Sequence, residues 1–262
     1  MTDKQRLSFS GFKTWKECPN KYRLVYVDGY REPLRNIYID FGSAIHEALE
    51  YGIRDQARQT DMYPIFERAY DKLVTENRAI APENYVINDE EWKAQAKNIL
   101  SQVYLWLDEN FPGWEPVSSE EELFEPIEGT GWNFKGFIDL VIAYKKKFWI
   151  LDAKSCSWGW QRHKKQDELL QRQLQLYKHY WCTKHEIENL KLVNCGFLLL
   201  KRTPKDKNLE LVRVSGSPAK LEAVVKGMRN AISSIERKMW LKNRFSCTAG
   251  FGCEFYKTEL CT

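Results

Sequence analysis

The amino-acid sequence predicts an α/β protein with a mixed central β-sheet and flanking helices. Apolar residues recur at helical spacing through residues 1–115, which we assign to an N-terminal helical cover. Short β-like runs, interrupted by one helix, fill residues 116–216, and the order strand, strand, strand, helix, strand is typical of a mixed sheet. Residues 217–262 are predicted to form a closing helix and a cysteine-bearing tail. We expect these segments to make one integrated domain.

The cover opens with two predicted short helices. Ser8 or Ser10 can cap the first helix, which carries Phe12 and Trp15, and Pro19 begins the second. Further helices are predicted from about residue 41, over 62–78 and over 89–110.

The predicted core begins after Pro116 with short runs of β-forming residues. Two of these runs are joined by a polar segment at 144–147, which suits a hairpin turn. The predicted elements are strands at 123–124, 132–143 and 148–155, a helix at 166–184, strands at 193–200 and 209–214, and a helix at 218–244.

Composition indicates a globular protein. Of the 262 residues, 43% are hydrophobic, which is enough to bury one sizeable core. No run approaches the roughly 18 apolar residues of a membrane span, and the polar opening lacks the apolar segment of a secretory signal. We therefore expect a soluble protein inside the cell. Seven cysteines, an odd number, favour reduced thiols or metal ligands over a disulfide framework.

The net charge of +4 is only mildly basic, but the positive charge is clustered. Such clusters are typical of a solvated surface and also of a surface that binds nucleic acid. The clusters lie at 145–147, 163–165, 201–207 and 237–244.

Two adjacent predicted strands carry charged residues that could bind a metal ion and activate a water. Asp139 lies on the first strand, and Asp152, Ala153 and Lys154 follow on the second. Because alternate residues of a strand share a face, Asp152 and Lys154 project together while Ala153 points away. Two carboxylates suit Mg²⁺ or Mn²⁺, and the lysine can orient or help to deprotonate an attacking water. Phosphodiester hydrolysis is the natural reaction of such a group.

The tripeptide by itself is a weak signal. At this composition an Asp-x-Lys sequence is expected about once by chance. An exposed ion pair on an edge strand is the alternative interpretation.

Further segments occur in an order that strengthens the assignment. In this order they resemble the successive motifs of the RecB-like branch of the PD-(D/E)XK nucleases, a layout also found in the AddB nuclease domain and in CRISPR adaptation nucleases. The segments are Ser8-Phe-Ser10 with Cys18-Pro-Asn-Lys-Tyr22, Gly42-Ser-Ala-Ile-His46, Gly136-Phe-Ile-Asp139, Asp152-Ala-Lys154 and Gln173-Leu-Gln-Leu-Tyr177.

The resemblance implies a restriction-endonuclease-like core and a role for each motif residue. Asp139 and Asp152 would be carboxylate ligands of Mg²⁺ or Mn²⁺, and the main-chain carbonyl of Ala153 a further ligand. Lys154 would be the catalytic lysine. His46 would add a metal ligand from the helical cover, although a core histidine bonded to a backbone carbonyl is the alternative.

Gln173 and Tyr177 are implied to face the active centre and the DNA. They stand one helical turn apart and therefore share a face. A packing role for Tyr177 and a hydrogen bond from Gln173 to a strand end are the alternatives. Related nucleases often place a glutamate near the metal upstream of Asp139, and an acidic run at 120–122 with Glu125 lies there. The sequence selects none of these residues, and a solvated turn is the favoured interpretation.

Four cysteines stand where related nucleases bind an iron–sulfur cluster. The resemblance implies that Cys18, Cys247, Cys253 and Cys261 hold a [4Fe–4S] cluster. The spacing departs from the usual pattern, because Gly250 occupies the place where a CxxC pair requires the partner of Cys253. Zn²⁺ and incidental cysteines are the alternatives. Small buried side chains are expected at Cys156, Cys182 and Cys195.

The function implied is that of a Mg²⁺- or Mn²⁺-dependent DNA exonuclease that acts on single strands or duplex ends and leaves 5′-phosphates. We expect it in the cytoplasm of a bacterial or phage-infected cell, in recombination, repair or phage DNA metabolism, with a recombination or repair protein as a candidate partner. Trp158 and Trp160 could stack on bases or pack internally. The alternatives are a CRISPR-type adaptation nuclease, and a DNA-binding module with a vestigial site, against which the intact Asp139, Asp152 and Lys154 argue.

Overall fold

The computed structural model describes residues 5–30, 34–54, 61–250 and 252–261. Its first helix is capped as expected, because the Oγ of Ser8 accepts a hydrogen bond of 3.1 Å from the amide of Gly11. Pro19 is the first residue of the second helix. The helices are α1 (Phe9–Glu17), α2 (Pro19–Tyr22), α3 (Ile37–Arg54), α4 (Tyr63–Ile80), α5 (Asp89–Leu100), α6 (Val103–Asn110), α7 (Arg162–Lys165), α8 (Glu168–Lys184) and α9 (Pro218–Glu236).

None of the helices in the described part of the chain combines the length and the apolar character needed to cross a membrane.

The strands form a six-stranded mixed sheet, which confirms the predicted fold class. Along the sheet the order is β1, β3, β4, β5 and β6, and β2 also pairs with β3. The pairs β3–β4 and β5–β6 are antiparallel, and the pairs β1–β3 and β4–β5 are parallel. The strands are β1 (Arg6–Ser8), β2 (Glu115–Pro126), β3 (Asn133–Tyr144), β4 (Lys147–Cys156), β5 (Val193–Lys201) and β6 (Leu209–Val214).

The chain divides into two compact units. The smaller unit contains the two ends of the chain and a middle segment at 123–136, and the larger unit contains residues 34–122 and 137–216. In the smaller unit α1 and α9 pack together, and the ring of Phe12 lies close to Gly227. A second small apolar cluster there is formed by Leu24, Phe255 and Cys261.

In the larger unit, helices cover both faces of the sheet. Leu151 and Ala153 of β4 point into an apolar core that also contains Phe41 of α3. On the same strand, Asp152 contacts Gln173 of α8. Because alternate residues of a strand point to opposite faces, α3 and α8 lie on opposite sides of β4. This arrangement lets both helices reach the same end of the strand.

Two helices differ from the sequence prediction. The segment 89–110 forms α5 and α6 with a turn at Ser101 and Gln102. There the side chain of Gln102 donates to the carbonyl of Asn98 at 2.8 Å and to the Oδ1 of Asn208 at 2.8 Å. These bonds satisfy a carbonyl at the end of the helix and connect the turn to a distant loop, which periodicity alone cannot reveal.

The closing helix ends at Glu236, not near Arg244 as predicted. Lys238 adopts a positive φ of 55°, and its amide bonds to the carbonyl of Ile235. The next amide, that of Met239, bonds to the carbonyl of Ser234. This is the Schellman termination, in which a lysine occupies the position that glycine usually takes. No glycine or proline stands between residues 236 and 244, so the sequence carries no local stop signal at this end of the helix.

Candidate active site

The two predicted carboxylates lie where β3 and β4 separate. The antiparallel register of the two strands runs from Tyr144↔Lys147 to Leu140↔Leu151. One step beyond, the amide of Ala153 donates a 2.7 Å hydrogen bond to the Oδ2 of Asp139 instead of to a backbone carbonyl. The side chain therefore replaces a bond of the strand ladder and is held in one orientation.

Asp152 and Lys154 project to the same face of β4, as alternation predicts. The Nζ of Lys154 lies 2.7 Å from the Oδ2 of Asp152, and the carboxylate is only 1% exposed. Burial raises the pKa of Asp152 and outweighs the opposing effect of Lys154, while the charge of Asp139 adds to the increase. Burial alone would lower the pKa of Lys154, but the charges of Asp152 and Asp139 outweigh it and raise that pKa.

Helix α8 supplies two polar side chains to the site. The Nε2 of Gln173 donates to the Oδ1 of Asp152 at 2.9 Å and lies 3.1 Å from the hydroxyl of Tyr177. Burial, together with the charge of Asp152, raises the pKa of Tyr177. Gln173 thus contacts the carboxylate of Asp152, and Tyr177 lies beside Gln173, as their spacing of one helical turn predicts.

Helix α3 brings His46 to the other side of the same group. Its Nδ1 lies 3.5 Å from the Oδ2 of Asp139, and its side chain is 25% exposed. Burial by itself would lower the pKa of His46, but the hydrogen bond and the charge of Asp139 outweigh it, so the pKa is raised. His46 therefore lies in an acidic environment.

Glu120 of β2 completes a group that the sequence did not single out. Ligand atoms of His46, Glu120 and Asp139 all lie within 4.8 Å of one another. Glu120 has a positive φ of 46°, which is unusual for a residue with a side chain inside a strand. Such local distortions redirect side chains next to active sites. Burial and the charges of Asp139 and Glu50 raise the pKa of Glu120.

The expectation of a solvated turn at the acidic run is therefore wrong, because these residues lie within β2. The neighbouring carboxylate, Glu121, is bound by a different set of partners. Burial would raise its pKa, but the hydrogen bonds outweigh it and lower the pKa to about 2. The donors are Ser118 at 2.6 Å, His185 at 2.7 Å, Lys184 at 2.8 Å and Trp181 at 2.9 Å.

The donor set fits a divalent cation. Carboxylate oxygens and one imidazole nitrogen are ligands that Mg²⁺ and Mn²⁺ accept. The raised pKa values of Asp152, Glu120 and His46 have a shared cause, which is negative charge crowded into a partly desolvated space. A bound dication would relieve that crowding.

Comparison with known proteins decides the family. The family model described as the PD-(D/E)XK nuclease superfamily matches residues 6–257. The chain belongs to the PD-(D/E)XK nuclease superfamily. The superfamily implies a metal-dependent nuclease with DNA as its substrate. No curated protein matches this nuclease in sequence.

Solved structures resemble this PD-(D/E)XK nuclease in fold. A crystal structure from Eubacterium rectale, named "Putative exonuclease", superposes with a TM-score of 0.58 and 12% identity, over 94% of this chain and 87% of that chain. The crystal structure of SSO0001 superposes with a TM-score of 0.32 and 12% identity, over 86% and 85% of the two chains. The first match supports the fold.

The smaller unit of this nuclease gathers four cysteines around one narrow cavity. Cys18, Cys247, Cys253 and Cys261 all line it, together with Asn20 and other polar residues. The side chain of Asn20 donates to the Sγ of Cys261 at 3.7 Å.

These four thiols are not arranged as a compact single-ion site. Among the residues that the structure describes, the group formed by His46, Glu120 and Asp139 is the only one whose metal-ligating atoms lie within 4.8 Å of one another. A tetrahedral zinc site, with Zn–S distances of about 2.3 Å, requires closer thiols.

The remaining residues singled out in the sequence differ in their burial. Cys182 and Cys195 are buried, and burial raises their pKa values to about 11 and about 12, whereas Cys156 is half-buried. Trp160 is buried and its ring lies 5.0 Å from that of Phe197, so it packs internally. The side chain of Trp158 is 71% exposed.

Proposed function

We propose that this PD-(D/E)XK nuclease is a Mg²⁺- or Mn²⁺-dependent DNA exonuclease that hydrolyses phosphodiester bonds to 5′-phosphate and 3′-hydroxyl products. One observation carries the proposal. His46, Glu120 and Asp139 bring their ligand atoms within 4.8 Å of one another, and Asp139 in turn accepts a hydrogen bond from the strand that carries Asp152 and Lys154.

The ion would be held by side chains from four elements. Asp139 and Asp152 supply carboxylates from β3 and β4, Glu120 supplies one from β2, and His46 adds a nitrogen from α3. The carbonyl of Ala153 is a further candidate ligand. In an extended strand the N–H and C=O of one residue point to the same side, and the N–H of Ala153 already points at Asp139.

The ion supplies Lewis-acid stabilisation of the phosphate and a water of lowered pKa. The residues of the chain orient the reaction. Lys154, as an ammonium held against Asp152, can donate to a phosphate oxygen or to the attacking water. Gln173 holds the Oδ1 of Asp152, and the hydroxyl of Tyr177 lies next to Gln173, so α8 fixes the orientation of the carboxylate.

A DNA-binding module with a vestigial site is not favoured by this geometry. In a site that had lost its function, we would expect the buried carboxylate to be replaced or exposed. A buried carboxylate without a ligand destabilises the fold. Asp152 instead stays 1% exposed, with both oxygens contacted by polar side chains. A role in recombination, repair or phage DNA metabolism, and a partner protein, remain predictions from the resemblance.

We also propose that the four cysteines of the smaller unit hold a [4Fe–4S] cluster. A cluster separates its four thiolates more widely than a single zinc ion does, which agrees with the arrangement around the cavity. The buried Cys247 lines the same cavity as the other three cysteines, and this supports it as the fourth ligand despite its irregular spacing.

The nuclease activity is tested with purified protein and DNA labelled at either end, in Mg²⁺ and in Mn²⁺. Linear single strands and duplexes should be shortened from an end, and products should carry 5′-phosphates that DNA ligase accepts. Circular single-stranded DNA and closed plasmid should stay intact. Cleavage of the circles would replace the exonuclease with an endonuclease, and an inert protein in both metals would refute the proposal.

A further inference from the structure

The larger unit has a groove at the end of β3 and β4 opposite to the catalytic residues. It measures about 620 Å³ and crosses four neighbouring strands. Its wall includes Tyr144 from β3, Trp149 from β4 and Arg213 from β6. We call it the distal groove and define it by its lining residues, which are Tyr144, Lys145, Lys147, Trp149, Asn194, Cys195, Arg213, Val214 and Ser215.

The charged residues that line the distal groove are all positive. Lys145, Lys147 and Arg213 line it, and no aspartate or glutamate does. Within the described part of the chain, none of these three cations has a carboxylate within ion-pair distance. Uncompensated cations at a concave surface attract anions, and the surrounding protein concentrates their field.

Aromatic rings hold two of the cations in place. The guanidinium of Arg213 lies 5.4 Å from the ring centre of Trp149, and the ammonium of Lys145 lies 4.9 Å from that of Tyr144. Contacts of this kind stabilise a cation by roughly 0.5–1 kcal/mol at an exposed site. The positive charges are therefore partly pre-organised around the groove.

The hairpin turn next to the groove has a sequence that its geometry does not favour. Lys145 and Lys146 adopt positive φ values of 50° and 58°. Such a turn usually contains asparagine and glycine, and a residue with a side chain costs roughly 1–2 kcal/mol in the left-handed region. Three consecutive lysines also repel one another. This turn therefore concentrates positive charge at a cost to local stability.

The width of the groove indicates a polymer and not a single anion. From β3 to β6 there are three steps between neighbouring strands, or about 14 Å. Phosphates of a nucleic-acid strand repeat about every 3.4 Å along a duplex axis, so a strand laid across the groove presents several of them.

We propose that the distal groove binds the phosphodiester backbone of the DNA substrate outside the catalytic centre. Lys147 is five residues from Asp152 along β4, which corresponds to about 17 Å, or about five base pairs of duplex. The groove would therefore anchor the substrate at least that far from the bond that is cleaved. This inference rests on the proposed nuclease function.

The test measures DNA binding and cleavage separately. Binding of fluorescein-labelled 25-nucleotide DNA, as single strand and as duplex, is followed by anisotropy in EDTA, so that it does not depend on turnover. The variant Lys147→Gln with Arg213→Gln should bind the preferred form about tenfold more weakly, and the slope of log affinity against log salt should fall by about 1.5. The matched control is Lys146→Gln, in the same turn but outside the groove, which should change affinity less than twofold.

Cleavage of short DNA supplies the second measurement. A substrate of three nucleotides cannot span about 17 Å of duplex rise, so the double variant should cleave it as the wild type does, while its KM for the 25-nucleotide substrate rises and kcat stays unchanged. Equal losses on both substrates, unchanged affinity for long DNA, or no binding of either form by the wild type would overturn the distal groove proposal. Normal binding with no cleavage by the wild type would refute the nuclease function alone.

Discussion

The two units of the protein offer metals different chemistry and different scaffolds. The larger unit places hard donors, the oxygens of Glu120 and Asp139 and a nitrogen of His46, within 4.8 Å of one another on two strands and a helix. The smaller unit places soft thiols around a cavity, and Cys253 lies on an irregular segment. Regular elements hold side chains more precisely than loops do. The first site is therefore preformed, whereas the proposed cluster would help to order the second site.

The metals of the two units should therefore contribute to different properties of the protein, one to catalysis and the other to stability. When a metal site built on strands loses one ligand, the fold is retained but the catalytic activity is lost. A site on irregular chain segments makes metal binding part of the folding free energy. Substitutions in the larger unit should therefore reduce turnover, and substitutions in the smaller unit should reduce stability.

The largest effect is expected at the buried carboxylate. Asp152→Asn or Lys154→Ala should reduce the cleavage rate by about a thousandfold while DNA binding and the circular-dichroism spectrum stay as in the wild type, because each removes a ligand or a positioning charge. Rates of cleavage of end-labelled DNA provide the measurement. The control is Asp206→Asn, at an exposed loop position. Turnover at the wild-type rate in either variant would disprove the assignment.

The second-largest effect is expected when a cysteine of the smaller unit is replaced. Protein purified without oxygen should be brown, with broad absorption near ~400 nm. Cys18→Ser, Cys247→Ser, Cys253→Ser and Cys261→Ser should each lose iron and lower the melting temperature by about 10 °C or more.

The half-buried Cys156 provides the control for the thiol substitutions, and Cys156→Ser should retain the iron. A colourless wild-type protein without iron or zinc that is folded and active would show that the four cysteines are incidental. Zinc in place of iron would mean that the thiols move closer together on binding.

A smaller effect is expected at Glu120 and His46, the two candidate metal ligands that lie outside β3 and β4. Glu120→Gln should weaken Mg²⁺ or Mn²⁺ binding by about 10- to 100-fold, since it removes one charged oxygen, whereas Glu115→Gln, exposed on the same strand, should not. His46→Ala should cause a smaller loss that differs between the two ions, because nitrogen ligands favour Mn²⁺ over Mg²⁺. Titration of activity against each metal distinguishes these outcomes. An unchanged ratio of Mg²⁺ to Mn²⁺ activity would argue against ligation by His46.

The smallest effect on activity is expected at the adjacent carboxylate. Its pKa is lowered to about 2 from an ordinary 4.5, so the stabilisation by Glu121 is complete above pH 4.5 and is lost as the pH falls towards 2. Glu121→Gln should lower the free energy of unfolding by roughly 2 kcal/mol at pH 7, and the difference from the wild type should shrink below about pH 4.5. Urea denaturation at several pH values measures it. A loss of metal affinity in this variant would mean that Glu121, and not Glu120, faces the ion.

Local physics explains the features that could be predicted from the sequence. The cap at Ser8 and the start of a helix at Pro19 depend on residues within one turn. The common orientation of Asp152 and Lys154 follows from the two-residue period of a strand, and the bounds of β6 match the predicted 209–214. The strand β1 was not predicted, because its three residues are too few to show a period.

The tertiary structure decided what local patterns leave open. Three glutamates follow one another at 120–122, and regular alternation offers no reason to prefer one of them. Glu120, which has a positive φ, lies against His46 and Asp139, whereas Glu121 accepts a hydrogen bond from Trp181 near the end of α8. His46 and Glu120 are separated by 74 positions of sequence, and only the packed sheet brings them together. The physical reason is that backbone distortion and long-range packing depend on the whole fold, whereas periodicity and capping depend on neighbouring residues.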